Sequence, residues 1–127
     1  MNLDDGATLT AFRLRRADGT TLWAGGSHRA ADTQAVPRNF TAGEVAFQPG
    51  RIWTSPATRA AYPVQWRVTT PVGPFDVVAL QDDQELDSRG ASGAVYWEGL
   101  SKLLDASGRP VGRGYLEMTG YAARLVL

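Results

Sequence analysis

The sequence of 127 residues contains no cysteine, which excludes disulfides, thiolate metal sites and cysteine nucleophiles. Histidine occurs once, as His28, and no serine lies in a G-x-S-x-G context, which argues against a zinc site and against a hydrolase triad. The net charge is zero, because 13 basic side chains balance 13 acidic ones. The basic residues are also scattered along the sequence. Nucleic-acid binding needs a cationic surface. We therefore expect no metal site, no cofactor and no nucleic-acid partner.

Long apolar runs are absent as well. No stretch approaches the roughly 20 residues that a membrane-spanning helix needs. The first residues, MNLDDG, are acidic and lack the basic and apolar regions of a signal peptide. The length suits one domain, covering residues 1–127, with a single core. We expect a soluble chain, and the sequence leaves its cellular compartment open.

Short alternating runs separated by turn residues predict an all-β chain. Apolar and polar residues alternate from 64 to 70, which is typical of a half-buried strand. Asp18 and Gly19 favour a two-residue type I′ turn that would place Leu14 opposite Trp23. The pattern gives seven or eight short strands at near-regular spacing. Such strands must close on themselves or be covered, so we predict an antiparallel barrel, with a sandwich as the alternative.

Two strand-like runs near the C-terminus, 94–104 and 112–127, carry aromatic residues and one carboxylate each at period-two spacing. One face of the first run holds Tyr96 and Glu98, and one face of the second holds Tyr115, Glu117 and Tyr121. Charged side chains are rarely buried without a partner, so this wall could line a ligand cavity. The alternative is that both carboxylates point to solvent on the outer face of a sheet.

A carboxyl group near aromatic rings in a dry cavity can take part in proton transfer, which makes Glu98 and Glu117 the candidate catalytic residues. Aromatic and polar side chains near the predicted strands are the candidate ligand-binding residues: Trp53, Tyr62, Gln84, Glu85, Tyr96, Tyr115 and Tyr121. Trp66 and Trp97 each lie between apolar neighbours on one face of a strand, which indicates a role in the core.

Several motifs occur together and in order: W-T-S-P and Y-P-V-x-W in RIWTSPATRAAYPVQWRV, Q-E-L-D in DDQELDSR, Y-W-E-G in YWEGL, and G-Y-L-E-x-T-G-Y in GRGYLEMTGY. With this spacing the chain resembles the C-terminal half of the lipocalin-like AttH and carotenoid 1,2-hydratase (hydroxyneurosporene synthase) family. The resemblance covers nearly the whole chain. It implies a lipocalin-like (calycin) antiparallel barrel of a two-domain family whose ligand site lies near the domain junction.

The resemblance also implies a ligand class and a partner. Members bind or act on terpenoid, carotenoid or other hydrophobic small molecules, and some add water across a carbon–carbon double bond without a redox cofactor, a lyase reaction. Others are secreted or transporter-associated, so periplasmic or secreted locations are compatible with the resemblance. Family members carry an N-terminal lipocalin-like domain and an upstream D-H-x-W motif, both absent from this sequence. We therefore expect a truncated or single-domain product that has no hydratase activity by itself.

Three hypotheses remain at this stage. In the first, the chain is half of a hydratase, in which aromatic rings stabilise a cationic transition state and Glu98 or Glu117 handles the proton or water. In the second, it is a module that binds a hydrophobic molecule without chemistry. In the third, it is a structural domain that supports a partner, either the N-terminal domain or a second copy docked through exposed apolar surface.

Overall fold

The structure is a computed structural model that describes residues 1–32, 34–91 and 93–123. Within these ranges it contains twelve strands and one short 3-10 helix, at Ala42–Glu44. The strands are β1 (Asn2–Leu3), β2 (Thr8–Arg15), β3 (Thr21–Arg29), β4 (Arg38–Phe40), β5 (Ala46–Pro49), β6 (Ile52–Thr54), β7 (Ala61–Pro63), β8 (Gln65–Thr70), β9 (Gly73–Ala79), β10 (Glu85–Ser88), β11 (Ala94–Leu104) and β12 (Pro110–Thr119). The last four residues of the predicted C-terminal run lie outside the described residues.

Ten of these strands form one antiparallel sheet. Its order is β4-β3-β2-β1-β12-β11-β9-β8-β5, and β10 pairs with β11 beside this path. The remaining two strands, β6 and β7, form a separate hairpin. The prediction of an all-β antiparallel fold is confirmed.

The sheet must be strongly curved, because its two edge strands are neighbours in the sequence. Laid flat, the eight steps along its nine-strand path would span about 38 Å at about 4.8 Å per step. The six residue steps from Phe40 to Ala46 can span only about 20 Å even when fully extended. The chain can connect β4 to β5 only if the sheet curls until its two edges approach each other.

The prediction of a closed barrel of seven or eight strands is wrong. The described residues contain twelve strands and no closed barrel, since the sheet ends at β4 on one side and at β5 on the other. The additional strands β1, β4, β7 and β10 are two to four residues long. Alternation needs a run of about four to eight residues to indicate a strand, so it does not reveal them.

The first hairpin has only part of the predicted register and not the predicted turn. Leu14 lies opposite Trp23, but Thr21 lies opposite Arg15, whereas the two-residue turn would place it opposite Arg16. The Gly19 N–H donates to the Arg16 carbonyl at 2.9 Å, and Gly19 has a φ of 85° whereas Asp18 has no positive φ. A type I′ turn needs positive φ at both central residues. The loop is therefore a type I turn followed by a glycine in the left-handed region, with a register shift after Leu14.

Side chains fill the inside of the curved sheet. One cluster of buried residues surrounds Trp66 and Trp97, and a second surrounds Leu9 and Leu103. Phe47 packs against both clusters. Trp97 is fully buried and its indole N–H donates to the Asp82 carbonyl at 2.6 Å. The prediction that Trp66 and Trp97 belong to the core is confirmed. Among the described residues, no helix is long and apolar enough to cross a bilayer.

Gly26 in β3 allows the close approach of β2, and we expect Gly26→Ala to lower the free energy of unfolding by about 1–3 kcal/mol, the usual cost of overpacking. A Cβ at Gly26 would overlap the Thr10 carbonyl and lie 3.1 Å from the Ala11 Cα. Gly43→Ala is the matched control, because nothing lies within 4 Å of a Cβ there. Urea unfolding of both variants measures the difference, and equal stabilities would contradict the packing argument.

Candidate functional site

Two hydroxyl groups in the segment after β6 donate hydrogen bonds to the carboxylate of Glu85 on β10. The Ser55 hydroxyl oxygen accepts the N–H groups of Ala57 and Thr58 at 3.1 and 3.2 Å, and the Thr58 hydroxyl oxygen accepts the N–H of Ala60 at 3.2 Å. These local bonds leave both hydroxyl protons directed at Glu85. Ser55 donates to one carboxylate oxygen at 2.7 Å and Thr58 to the other at 2.6 Å. Both oxygens of Glu85 are thus fixed.

The same bonds keep Glu85 ionised. Partial burial raises the pKa of the Glu85 carboxyl, but the hydrogen bonds from Thr58 and Ser55 outweigh it, and the pKa is lowered overall. Burial, and after it the neighbouring Glu85 carboxylate, raises the pKa of Tyr62 above its ordinary value. The Tyr62 hydroxyl is buried and lies close enough to the Glu85 carboxylate for each group to shift the other's pKa, although no hydrogen bond of ordinary geometry joins them. Tyr62 is therefore a neutral donor beside a fixed anion.

Three aromatic rings form a row at this end of the sheet. Trp53 and Tyr62 lie opposite each other in the β6–β7 hairpin, with ring centroids 6.1 Å apart and nearly parallel planes. Tyr121 lies beyond Tyr62, with centroids 5.5 Å apart, and the Arg15 guanidinium lies 4.2 Å from the Tyr121 ring centroid. The fold thus brings together four of the predicted site residues: Trp53, Tyr62, Glu85 and Tyr121.

Gln84 lies at the edge of this region. Its side-chain amide donates to the Gln81 side chain at 2.9 Å and to the Asp83 carbonyl at 3.0 Å. Its Cγ would lie 3.1 Å from a Cβ placed on Gly99. Gln84 therefore packs across β11 at a glycine, and its amide is used within its own loop.

The other predicted residues lie on the opposite face of β11. Glu98 lies directly across from Glu117, and Tyr115 lies across from Leu100. The inner face of the same two strands carries Trp97 and Met118, which are buried. Glu98 is half-buried and Glu117 is exposed.

This outer wall, defined as Tyr96, Glu98, Tyr115 and Glu117, is open to solvent. Tyr115 is 61% exposed. Desolvation, and after it the nearby Glu98 carboxylate, raises the pKa of Tyr115. Neither Glu98 nor Glu117 takes part in the ion pairs that the described residues form. Like charges directly opposite each other on adjacent strands are destabilising. The wall and the Glu85 region are thus two separate places, one on each side of the sheet.

A third place is a cleft at the unclosed side of the sheet, which the sequence analysis did not identify. β4 pairs with β3 only at residues 26–28. The first half of β3 therefore has no partner strand on that side and faces the edge of β5. Between them lies a cleft of about 610 Å³. Its lining residues are Arg13, Thr21, Leu22, Trp23, Ala24, Ala42, Gly43, Val45, Ala46 and Phe47.

Arg13 is the basic residue of this cleft. Its guanidinium carbon lies 5.7 Å from the ring centroids of both Phe47 and Trp66. The sequence contained a signal for it, because alternation places Arg13 on the same strand face as Leu9 and Ala11. A cation on the apolar face of a strand is unusual.

The family model described as AttH-like matches residues 1–121. The chain belongs to the AttH-like family. The resemblance found in the sequence motifs is thereby confirmed. No curated protein matches the sequence.

Two solved structures share the fold of this AttH-like chain. An AttH protein from Nitrosomonas europaea is 48% identical with a TM-score of 0.87, over 94% of this chain and 37% of that one. Kievitone hydratase from Nectria haematococca is 22% identical with a TM-score of 0.64, over 94% of this chain and 36% of that one. At that identity the second structure shows a common fold alone. The AttH-like chain spans little more than a third of the length of either protein.

For the AttH-like chain we expect Glu85→Gln to lower the free energy of unfolding at neutral pH by about 1–3 kcal/mol, since it weakens two charge-assisted hydrogen bonds. The folded pKa of Glu85 lies below its ordinary value of 4.5. The stabilisation is therefore present above that value and is lost as the pH falls through the folded pKa. Urea unfolding at several pH values should show the gap between wild type and variant narrowing below about pH 4.

Glu117→Gln is the control for this experiment, because Glu117 is exposed and outside the hydroxyl cluster. It should not lower stability, because removing the Glu117 charge relieves repulsion from Glu98 on the neighbouring strand. A stability gap for Glu85→Gln that stays constant down to low pH would show that the ionised carboxylate is not what stabilises the hairpin.

Proposed function

We propose that this chain is a ligand-binding domain that holds a hydrophobic, terpenoid- or carotenoid-like small molecule and contributes to its hydration in longer proteins of the family. The observation that carries the binding part is the cleft of about 610 Å³ between β3 and β5. Small-molecule pockets have volumes of about 300–1,000 Å³ and mainly apolar walls. The sides of this cleft include Leu22, Trp23, Val45 and Phe47.

The packing of the interior supports the cleft as the place for the ligand. Trp97 and Tyr62 are fully buried at one end of the sheet, and Leu9 and Leu103 are almost completely buried towards the other. A molecule entering the centre would have to displace these side chains, which costs several kcal/mol for groups of about this size. The cleft needs no such displacement, because the unclosed side of the sheet already leaves the space.

The outer wall supports the hydration part of the proposal. Glu98 and Glu117 lie side by side next to Tyr115, and a carboxyl group beside aromatic rings can protonate an alkene or activate water once bulk water is excluded. On this chain the wall is open and lies apart from the cleft, so a further domain would have to cover the wall and bring the reacting part of the ligand to it. The length of the Nitrosomonas europaea relative, of which this chain covers 37%, supports such a second part. We infer that the chain by itself binds the ligand but does not hydrate it.

For the binding part, we expect Ala46→Trp to weaken the binding of farnesol, an uncharged sesquiterpenoid, by about tenfold or more, because a large ring at Ala46 would fill the mouth of the cleft. Ala106→Trp is the control, as Ala106 is equally exposed but lies in the β11–β12 turn. Quenching of tryptophan fluorescence and calorimetry both report the affinity. If Ala46→Trp binds farnesol with unchanged affinity, the ligand does not bind in this cleft.

For the hydration part, we expect Glu98→Gln or Glu117→Gln, made in a longer family member that contains this domain, to lower turnover by about 100-fold or more with affinity retained, as for removal of a general acid or base. Asp4→Asn is the control, because Asp4 is exposed and its N–H bonds to Val111, six residues along β12 from Glu117. Turnover is followed by mass spectrometry of the hydrated product. Full activity in both glutamine variants would remove these carboxylates from the mechanism.

A second candidate function, docking to a partner domain or to a second copy of the chain, is favoured by one observation. The tip of the β2–β3 hairpin exposes apolar side chains: Leu14 is 51% exposed and Trp23 is 60% exposed. Phe12 packs edge-to-face against Trp23, with ring centroids 4.9 Å apart. Contiguous apolar surface of this kind marks interaction sites.

A further inference from the structure

Arg13 has no counter-ion among the residues that the structure describes. Five other arginines form ion pairs with carboxylates in the described residues, and their side chains are all at least 46% exposed: Arg38, Arg51, Arg67, Arg89 and Arg109. Arg13 is half-buried on the inner face of β2, and no carboxylate in the described part of the chain pairs with it. A partly desolvated cation without a partner costs more free energy than an exposed one.

The contacts of Arg13 hold its position without neutralising it. Phe47 and Trp66 lie at 5.7 Å from its guanidinium carbon, so two aromatic rings orient the group through cation–π attraction. An oriented guanidinium keeps its five N–H donors available, and their planar arrangement matches a carboxylate. The Arg13 guanidinium is therefore positioned to bind an anion.

A second unused donor lies next to the guanidinium. Trp66 is only 7% exposed, and its indole N–H has no acceptor among the described residues. Leaving such a group unpaired costs about 1–3 kcal/mol. A donor without an acceptor thus lies in a ring that contacts Arg13, and seven of the ten residues that line the cleft are apolar.

We propose that the cleft selects amphipathic carboxylic acids, with the carboxylate bound at Arg13 and the apolar body against Leu22 and Phe47. This inference rests on the proposed ligand-binding function and names the ligand class of the same cleft. Arg13 is the single basic residue among the cleft's lining residues. One cation suits a ligand with one negative charge and does not neutralise the charges of a diphosphate.

Farnesoic acid and farnesol test the proposal, because they share one sesquiterpenoid body and differ in the carboxylate. Binding to the 127-residue chain is measured by calorimetry and by tryptophan quenching at neutral pH. We expect Arg13→Gln to weaken farnesoate binding by about tenfold or more, the value of a charge-assisted hydrogen bond, and to change farnesol binding by less than about twofold. Arg13→Lys keeps the charge but loses the planar fork, so it should restore part of the affinity.

Arg113→Gln is the control for net charge, since Arg113 is exposed on β12, away from the cleft. Equal weakening of farnesoate binding by Arg113→Gln and Arg13→Gln would overturn the proposal, because only overall charge would then matter. Equal effects of Arg13→Gln on the acid and the alcohol would also overturn it. If both molecules bind and Arg13→Gln changes neither affinity, the cleft could still be the binding site, but its specificity for carboxylic acids would be contradicted. Failure of both molecules to bind would contradict the proposed function itself.

Discussion

The connection between β4 and β5 is the constraint on which the rest of the structure depends. These two strands are the opposite edges of the sheet, yet only 41–45 separate them along the chain. A capping box makes this link rigid: the Glu44 carboxylate accepts the Thr41 N–H at 2.9 Å and also pairs with Arg38 at 3.0 Å. Because the link is short and ordered, the sheet has to curl, and curling creates an inner face that can be packed. Because β4 pairs with so little of β3, the two edges approach without joining, and the cleft at Arg13 results.

Buried side chains fill the inner face of the sheet and stabilise the fold, so they leave little space there for a ligand or a reaction. Large side chains such as Trp97 and Tyr62 fill the curved sheet, and the hydroxyls of Ser55 and Thr58 fasten the β6–β7 hairpin to Glu85 over one end. A carboxylate whose two oxygens are both bonded inside the fold is well suited to hold a hairpin and poorly placed to exchange protons with a ligand. By contrast, the carboxylates of Glu98 and Glu117 and the guanidinium of Arg13 form no ion pair among the described residues. Function is therefore expected on the outer face of the sheet and at its unclosed side, and not in its packed interior.

The sequence predicts those parts of the fold that depend on neighbouring residues. Alternation correctly assigns Trp66 and Trp97 to the core, and it places Leu14 opposite Trp23 through the Asp18–Gly19 turn region. It does not predict the bonds of Ser55 and Thr58 to Glu85, because the partners are 30 and 27 residues apart and each serine or threonine can bond to its own backbone first. The cleft is hidden for a related reason, since it depends on how far a ladder between β3 and β4 extends. Arg13 was visible in the pattern as a cation on an apolar face, but only the structure shows what surrounds it.

The two faces of β11 give one strand both a part in the core and a part in the outer wall. Trp97 and Ser101 point inward and are buried, whereas the intervening Glu98 lies on the outside opposite Glu117. Two carboxylates facing each other, without an ion-pair partner among the described residues, reduce the stability of the sheet that carries them. The well-packed inner face can compensate for such a cost, because burial of large aromatic side chains contributes several kcal/mol. The fold can therefore carry two opposed carboxylates on the outer face of β11 and β12 because the inner face of the same two strands is tightly packed.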